Sequence, residues 1–355
     1  MRVLTSEVKT MELDIRKKKI LAAIVRDFIE TAEPVGSRTI SRKYDLKVSP
    51  ATIRNEMADL EEMGLLEQPY TSAGRIPSNL GYRYYVDYLM EKVALNNEVK
   101  SIIHGNIHSK IRELEELIQE TTKTLSQITN YTSLVLAPQM SMGMIQMVQL
   151  LLIEPGKALV VIITDTGQIE NRILDIPEGF TKADLDLISS VLNVRLKKSN
   201  IHKWDKCILS DIYSQLVKQQ KVLSTVIDLL TSIYWEEGED KVYLGGALNI
   251  LNQPEFKDIT KVKRLFQLLE KEDVIRNVLQ DAEEDGVTVR IGDENKYEGI
   301  QECSVITATY KLDGKVLGTI GVLGPTRMQY PHAVAIVEFL TQTLTATLKK
   351  KIEDI

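Results

Sequence analysis

Apolar residues recur three and four positions apart just after Asp14. Ile20, Leu21, Ile24, Val25, Phe28 and Ile29 form one stripe, which predicts an amphipathic helix to about Thr31 with Asp14 as its cap. Pro34 and Gly36 end the connection, and Ser37 is read as the cap of a shorter helix reaching about Tyr44, with Ile40 and Tyr44 inward. After the turn Asp45–Val48, residues 49–64 read as one helix marked at both ends. Ser49 is an N-cap type, Pro50 suits the first helical position, and Gly64 is a stop. Ile53, Met57 and Leu60 share one face and are expected to be buried. Ala51, Arg54 and Asn55 face away, with Thr52 at one edge.

The period changes after Gly64. Leu65–Gln68 reads as a short strand, 69–75 as a loop, and Ile76-Pro77 as a return strand, the layout of a wing with Arg75 at its tip. Ser78 or Asn79 opens a helix to about Val93 carrying Tyr82, Tyr84, Tyr85 and Tyr88. These rings can stack on bases, but tyrosine is usually half-buried, so packing is the expected role. Beyond the Asn96-Asn97 break, Val99, Ile103, Ile107, Ile111, Leu114, Ile118, Leu125 and Ile128 make a near-heptad stripe. That predicts one long helix from Glu98 to about Asn130, free to link domains or to pair with a second copy.

The texture then changes to short apolar runs parted by turn residues. Stretches 133–137, 147–153, 158–164 and 169–176 read as an antiparallel meander, and 182–196 and 208–234 as helices. A strand is expected near 241–244, helices through 269 and over 274–282, and strands over 287–291, 304–312 and 316–323. Asp313-Gly314 is a hairpin signal between the last two. Pro331 opens a terminal helix to about Lys350. Strands on both sides of a helical block indicate one α+β domain interrupted by an insert.

Composition narrows the function. A chain of 355 residues has room for two or three domains, and 43% hydrophobic with 26% charged residues is ordinary for a globular protein. Cys207 and Cys303 lie far apart, outside any CxxC spacing, and fit a reducing cytoplasm. The net charge of −6 argues against nucleic-acid binding only until it is divided. Residues 11–92 are neutral, whereas 93–355 carry 29 Lys/Arg against 36 Asp/Glu. Within the first segment Arg16, Lys17, Lys18, Lys19, Arg38, Arg42, Lys43, Arg54 and Arg75 can gather on one side. There is no P-loop, HExxH, GxSxG or GxGxxG, and the four histidines are scattered. His104 and His108 stand four apart, but without a third ligand they read as surface residues. No enzyme, cofactor or metal is expected.

Two helices joined by a short turn, with Arg and Asn outward on the second and a wing behind it, form the pattern of a DNA-binding module. Arg54 and Asn55 have the donor and acceptor geometry to read guanine and adenine. Ala51 and Thr52 allow close approach or touch a thymine methyl. Ser37, Arg38, Arg42, Ser72 and Arg75 are candidates for phosphates, and Ser49 and Thr71 belong to the same surface. A winged-helix scaffold binding only protein is the competing class.

With these motifs in place, the chain resembles the heat-inducible transcription repressor HrcA family of bacteria over nearly all its length after about Leu13. The most specific stretches are 49–57 and 68–78. Leu251-Asn252-Gln253-Pro254-Glu255-Phe256 and 321–330 agree, with Met328-Gln329-Tyr330 where the family usually has Met-Asp-Tyr. The resemblance implies an α+β multidomain protein. Its parts would be a winged helix-turn-helix domain with an N-terminal extension (1–95), a GAF-like domain in two parts (96–180, beginning with the linker helix, and 263–355), and an inserted, mainly helical dimerising domain (181–262). It also implies a cytoplasmic homodimer on the inverted-repeat CIRCE operator of chaperone operons, released on heat stress and dependent on the GroEL chaperonin. An alternative keeps the winged helix but gates it with a small ligand in the GAF-like domain.

Overall fold

A computed structural model describes residues 11–108, 114–137, 145–164, 169–196, 212–214, 216, 222–228, 241–283, 285–312 and 314–353. The chain divides into two compact units, residues 1–137 with 242–354, and residues 138–241.

The first unit opens with a head of short elements. Helix α1 (Ile15–Thr31) starts where the Asp14 carboxylate accepts from the Lys17 amide at 2.8 Å. Helix α2 (Ser37–Lys43) begins one residue earlier than a Ser37 cap allows: Gly36 occupies the cap position with no side-chain bond, and Ser37 is the first helical residue. Helix α3 (Pro50–Glu62) has the expected ends: the Ser49 hydroxyl accepts from the Thr52 amide, and Gly64 follows at φ +74°. Strands β1 (Leu66–Glu67) and β2 (Ile76–Pro77) pair antiparallel. Helix α4 (Asn79–Tyr84) runs on into one π turn, Tyr85–Leu89. Ile20, Leu21, Ile24, Ile40, Ile53, Leu60 and Leu65 are fully buried together.

The long helix expected over 98–130 is folded back on itself. Helices α5 (Asn97–His108) and α6 (Leu114–Thr129) pack side by side, and the Asn106 amide donates to the Thr124 hydroxyl at 3.1 Å across 18 residues. A continuous helix would hold those residues about 27 Å apart. The stripe is buried by the chain itself: its Ile103, Ile107, Ile118 and Leu125 join the core of the first unit, with Leu117 beside them.

Strands β3 (Thr132–Leu136), β4 (Ile145–Glu154), β5 (Lys157–Thr164), β6 (Ile169–Asp175), β7 (Val242–Gly245), β8 (Val287–Ile291), β9 (Cys303–Leu312) and β10 (Lys315–Pro325) form two sheets. One is antiparallel in the order β7-β3-β10-β9-β8. Its faces alternate. Val135, Ile306, Ala308, Ile320 and Val322 meet the core formed with α5, α6 and α10 (Tyr330–Glu353). Leu134, Leu136, Val305 and Leu323 meet α8 (Ile259–Leu269) and α9 (Glu272–Gln280). All five residues of β3 are buried, as a central strand covered on both faces requires. It therefore does not belong to the meander predicted for it.

The meander proper, β4-β5-β6, lies in the second unit with α7 (Lys182–Leu196). The Asn193 side chain of α7 donates to Val148 O at 2.8 Å and accepts from Val148 N at 2.7 Å, and the Ser189 hydroxyl accepts from Leu150 N at 2.9 Å. These side chains satisfy the free edge of β4 as another strand would. Residues 138–241 thus form a unit with a sheet inside it, whereas the family resemblance implies a mainly helical insert at 181–262. Residues 242–262 return to the first unit through β7 and the helical turns Ala247–Asn252 and Pro254–Lys257. Of the helix expected at 208–234, residues 212–214 and 222–228 are helical, residue 216 is in a turn, and the others lie outside the described residues.

Candidate nucleic-acid interface

Helix α3 turns its two faces as its periodicity requires. Ile53, Met57 and Leu60 are buried, Ala51, Arg54 and Asn55 are exposed, and Thr52 is half-buried. The Ser49 hydroxyl, besides capping the helix, lies 2.9 Å from the Thr52 hydroxyl, so these two groups satisfy each other before any ligand arrives. On α2, Arg38 and Arg42 are exposed and Ser37 is half-buried. Arg38, Arg42 and Arg54 form no ion pair with any described residue. Thr71 and Ser72 are exposed at the wing tip, with Ser72 at φ +71°.

The remaining cations of the expected patch are divided. Lys17 Nζ bridges Glu56 at 2.8 Å and Asp59 at 2.9 Å, and Arg16 reaches Glu56 at 3.3 Å. Hydrogen bonds to Glu56 and Asp59 hold Lys17 protonated well above the usual lysine range. Lys43 is held by Asp27 and Glu30 at 2.7 and 2.6 Å. These pairs tie α1 to α3 and α2 to α1. Arg75 is not at the wing tip. Its main chain exchanges two 2.9 Å bonds with Val35, its guanidinium lies 2.7 Å from Glu61, and its side chain is mostly covered. The tip is left to Tyr70, Thr71 and Ser72. Two candidates escaped sequence reasoning: Tyr70, 65% exposed at the tip, and Lys47, exposed at φ +56° in the turn before α3. A ring stranded on a loop and a cation beside the helix start were the available signals.

The tyrosines of α4 and its π turn pack rather than protrude: Tyr82, Tyr84 and Tyr85 are buried, and only Tyr88 of the four is exposed. The Tyr82 ring lies 5.9 Å from that of Tyr330. The two later landmarks also meet one another. Arg327 pairs with Glu255 and donates to Ile29 O at the end of α1 at 2.8 Å, while the Tyr131 hydroxyl accepts from the Gln329 amide. Beside them Ile29, Glu30, Asn130, Gln253, Arg327 and His332 line an open cavity of about 460 Å³. His104 packs edge-on against Phe339, and the side chain of His108 lies outside the described residues.

A family model described as "HrcA protein C terminal domain" matches residues 115–334. The heat-inducible transcription repressor HrcA of Pelotomaculum thermopropionicum is 48% identical over 341 residues, 96% of this chain and 98% of that one. The chain belongs to the heat-inducible transcription repressor HrcA family. The repressor of Moorella thermoacetica is likewise 48% identical, over 96% of this chain and 99% of its own length. A solved structure titled "Crystal structure of a hypothetical protein at 2.2 A resolution" has a similar fold, with a TM-score of 0.66, 21% identity, and 96% and 100% of the two chains covered. Among the described residues no helix is long and apolar enough to cross a membrane.

Proposed function

We propose that this chain represses heat-shock chaperone operons by binding an inverted-repeat operator of the CIRCE type as a homodimer, with α3 in the major groove and the wing on flanking backbone. The observation that carries the reading is the outward face of α3. Ala51, Arg54 and Asn55 stand clear of the core, and the exposed Arg38 and Arg42, without an ion pair among the described residues, lie on the neighbouring helix. In this reading the head is a winged helix-turn-helix domain of DNA-binding function and the five-stranded sheet with its helices is a GAF-like body.

Two-fold pairing has a physical basis in the second unit. The meander face turned away from α7 carries rows Leu151–Leu159–Ile173 and Met147–Ile163–Ile169, of which Leu151, Ile173, Met147 and Ile169 are exposed. An apolar sheet face of this kind marks an interaction surface, and a second copy matches a palindrome by symmetry. Heat release follows from marginal stability, because losing the body or the dimer separates the paired α3 helices. A GroEL-type chaperonin then sets how much active repressor exists. A gel shift on an inverted repeat, repeated at rising temperature and with purified chaperonin, tests the reading. Operator occupancy that survives heating while transcription rises would overturn it.

The cavity between α1 and the body favours a second reading, in which a small polar ligand gates the head. Operator affinity that changes with added metabolites at constant temperature would select it.

A further inference from the structure

Arg75 stands in the segment where a phosphate contact is expected, yet its guanidinium is engaged within the protein: its side chain is 20% exposed and its Nη1 donates to Ala73 O at 3.5 Å. Its Nε donates to Glu61 Oε2 at 2.8 Å and its Nη2 lies 2.7 Å from the same oxygen. Glu61 is in the last turn of α3, so the pair joins the recognition helix to the wing. The main chain adds a third element. Arg75 N donates to Val35 O and Val35 N to Arg75 O, both at 2.9 Å, which ties the wing to the link between α1 and α2. Gly74 permits that approach, since a Cβ there would stand 2.4 Å from Val35 O.

We propose that Arg75 is a positioning residue: it locks the angle between α3 and the wing through Glu61, and does not hold a phosphate. The inference rests on the DNA-binding reading above. It makes a prediction opposite in sign to simple electrostatics. Removing the negative charge of Glu61 from a DNA-facing domain should strengthen binding to any duplex, and should free Arg75 for a phosphate. The clamp requires the reverse.

The test uses the full chain with the inverted repeat and a scrambled duplex over a series of salt concentrations. Glu61→Gln and Arg75→Gln should each weaken operator binding by about fivefold, with the salt slope of the wild type. The exchanged pair Glu61→Arg with Arg75→Glu should recover most of the loss. In the DNA-free protein, exchange of the Val35 and Arg75 amides should quicken in both single variants and return toward wild type in the exchanged pair. That readout judges the clamp even if a variant is partly destabilised or the wild type fails to bind. Tighter binding by Glu61→Gln, a salt slope lowered by about one in Arg75→Gln, or unchanged amide exchange in Glu61→Gln would overturn the proposal. A wild-type chain that binds both duplexes alike would overturn the DNA reading instead, leaving the amide exchange to decide the clamp.

Discussion

Arg83 of α4 and Glu294 of the body lie 211 residues apart in sequence and form a two-pronged ion pair, with Nε to Oε1 at 2.7 Å and Nη2 to Oε2. Arg83 is 2% exposed as a side chain, also meets Asp87 at 3.2 Å, and donates to Val289 O. Asn79 adds a bond to Asp293 at 2.9 Å. The head is therefore bolted to the body by charge as well as by the shared core. Removing one member of such a buried pair strands the others, so Arg83→Met should cost about 3–5 kcal/mol in denaturant unfolding. A cost below about 1 kcal/mol would show the pair to be dispensable.

Asp87 gives the same cluster a pH dependence. Burial pushes its carboxyl above the usual aspartate range, while Arg83 pulls it back. The folded state thus binds this proton more readily than the unfolded state. Stability from this group falls as pH rises through the window just above 3.8, and stays lower beyond it. Asp87→Asn removes that slope. Between roughly pH 3 and pH 7 the stability difference should move in favour of the Asn variant as pH rises; a move toward wild type would contradict the burial argument.

Under the proposed DNA-binding reading, recognition separates into two kinds of residue. Arg54→Ala should lose about 1–3 kcal/mol on the inverted repeat and relax sequence choice at the base it reads. Arg38→Ala and Arg42→Ala should weaken all duplexes alike and lower the salt slope by about one each. Competition binding with single-base operator variants distinguishes the patterns. Equal discrimination by Arg54→Ala and wild type would remove Arg54 from base reading.

Dimerisation through the meander can be tested at Leu159 and Ile173, which are opposite one another on the open face. Leu159→Asp or Ile173→Asp should yield a folded monomer in sedimentation, with the palindrome bound no better than a half-site. A dimer that persists in both variants would place the two-fold contact elsewhere.

The local features of this chain were legible because local chemistry makes them. Asp14 and Ser49 cap the helices they adjoin, Ile53, Met57 and Leu60 sit at helical spacing, and Gly64 takes the left-handed conformation that few other residues adopt readily. The exposed Arg54 and Asn55 follow from that same spacing. The short β1–β2 pair and the strands of the large sheet were legible from apolar runs bounded by turn residues.

Choices between partners belonged to the tertiary structure. The stripe over 99–128 suits a long helix, a coiled coil or a hairpin equally, and the packing of α5 on α6 selected the hairpin. Apolar runs beside turn residues marked both β3 and β4 as strands, but pairing with β7 and β10 took β3 into a sheet covered on both faces. Arg54 and Arg75 are the same residue type in one domain, and the approach of Glu61 and Val35 engaged Arg75, whereas Arg54 is exposed and forms no ion pair with any described residue. Caps and periodicities are energies between neighbours in sequence, so they can be read along a line. Which carboxylate meets which cation, and which strand finds which edge, depends on contacts the chain makes only after it has folded back on itself.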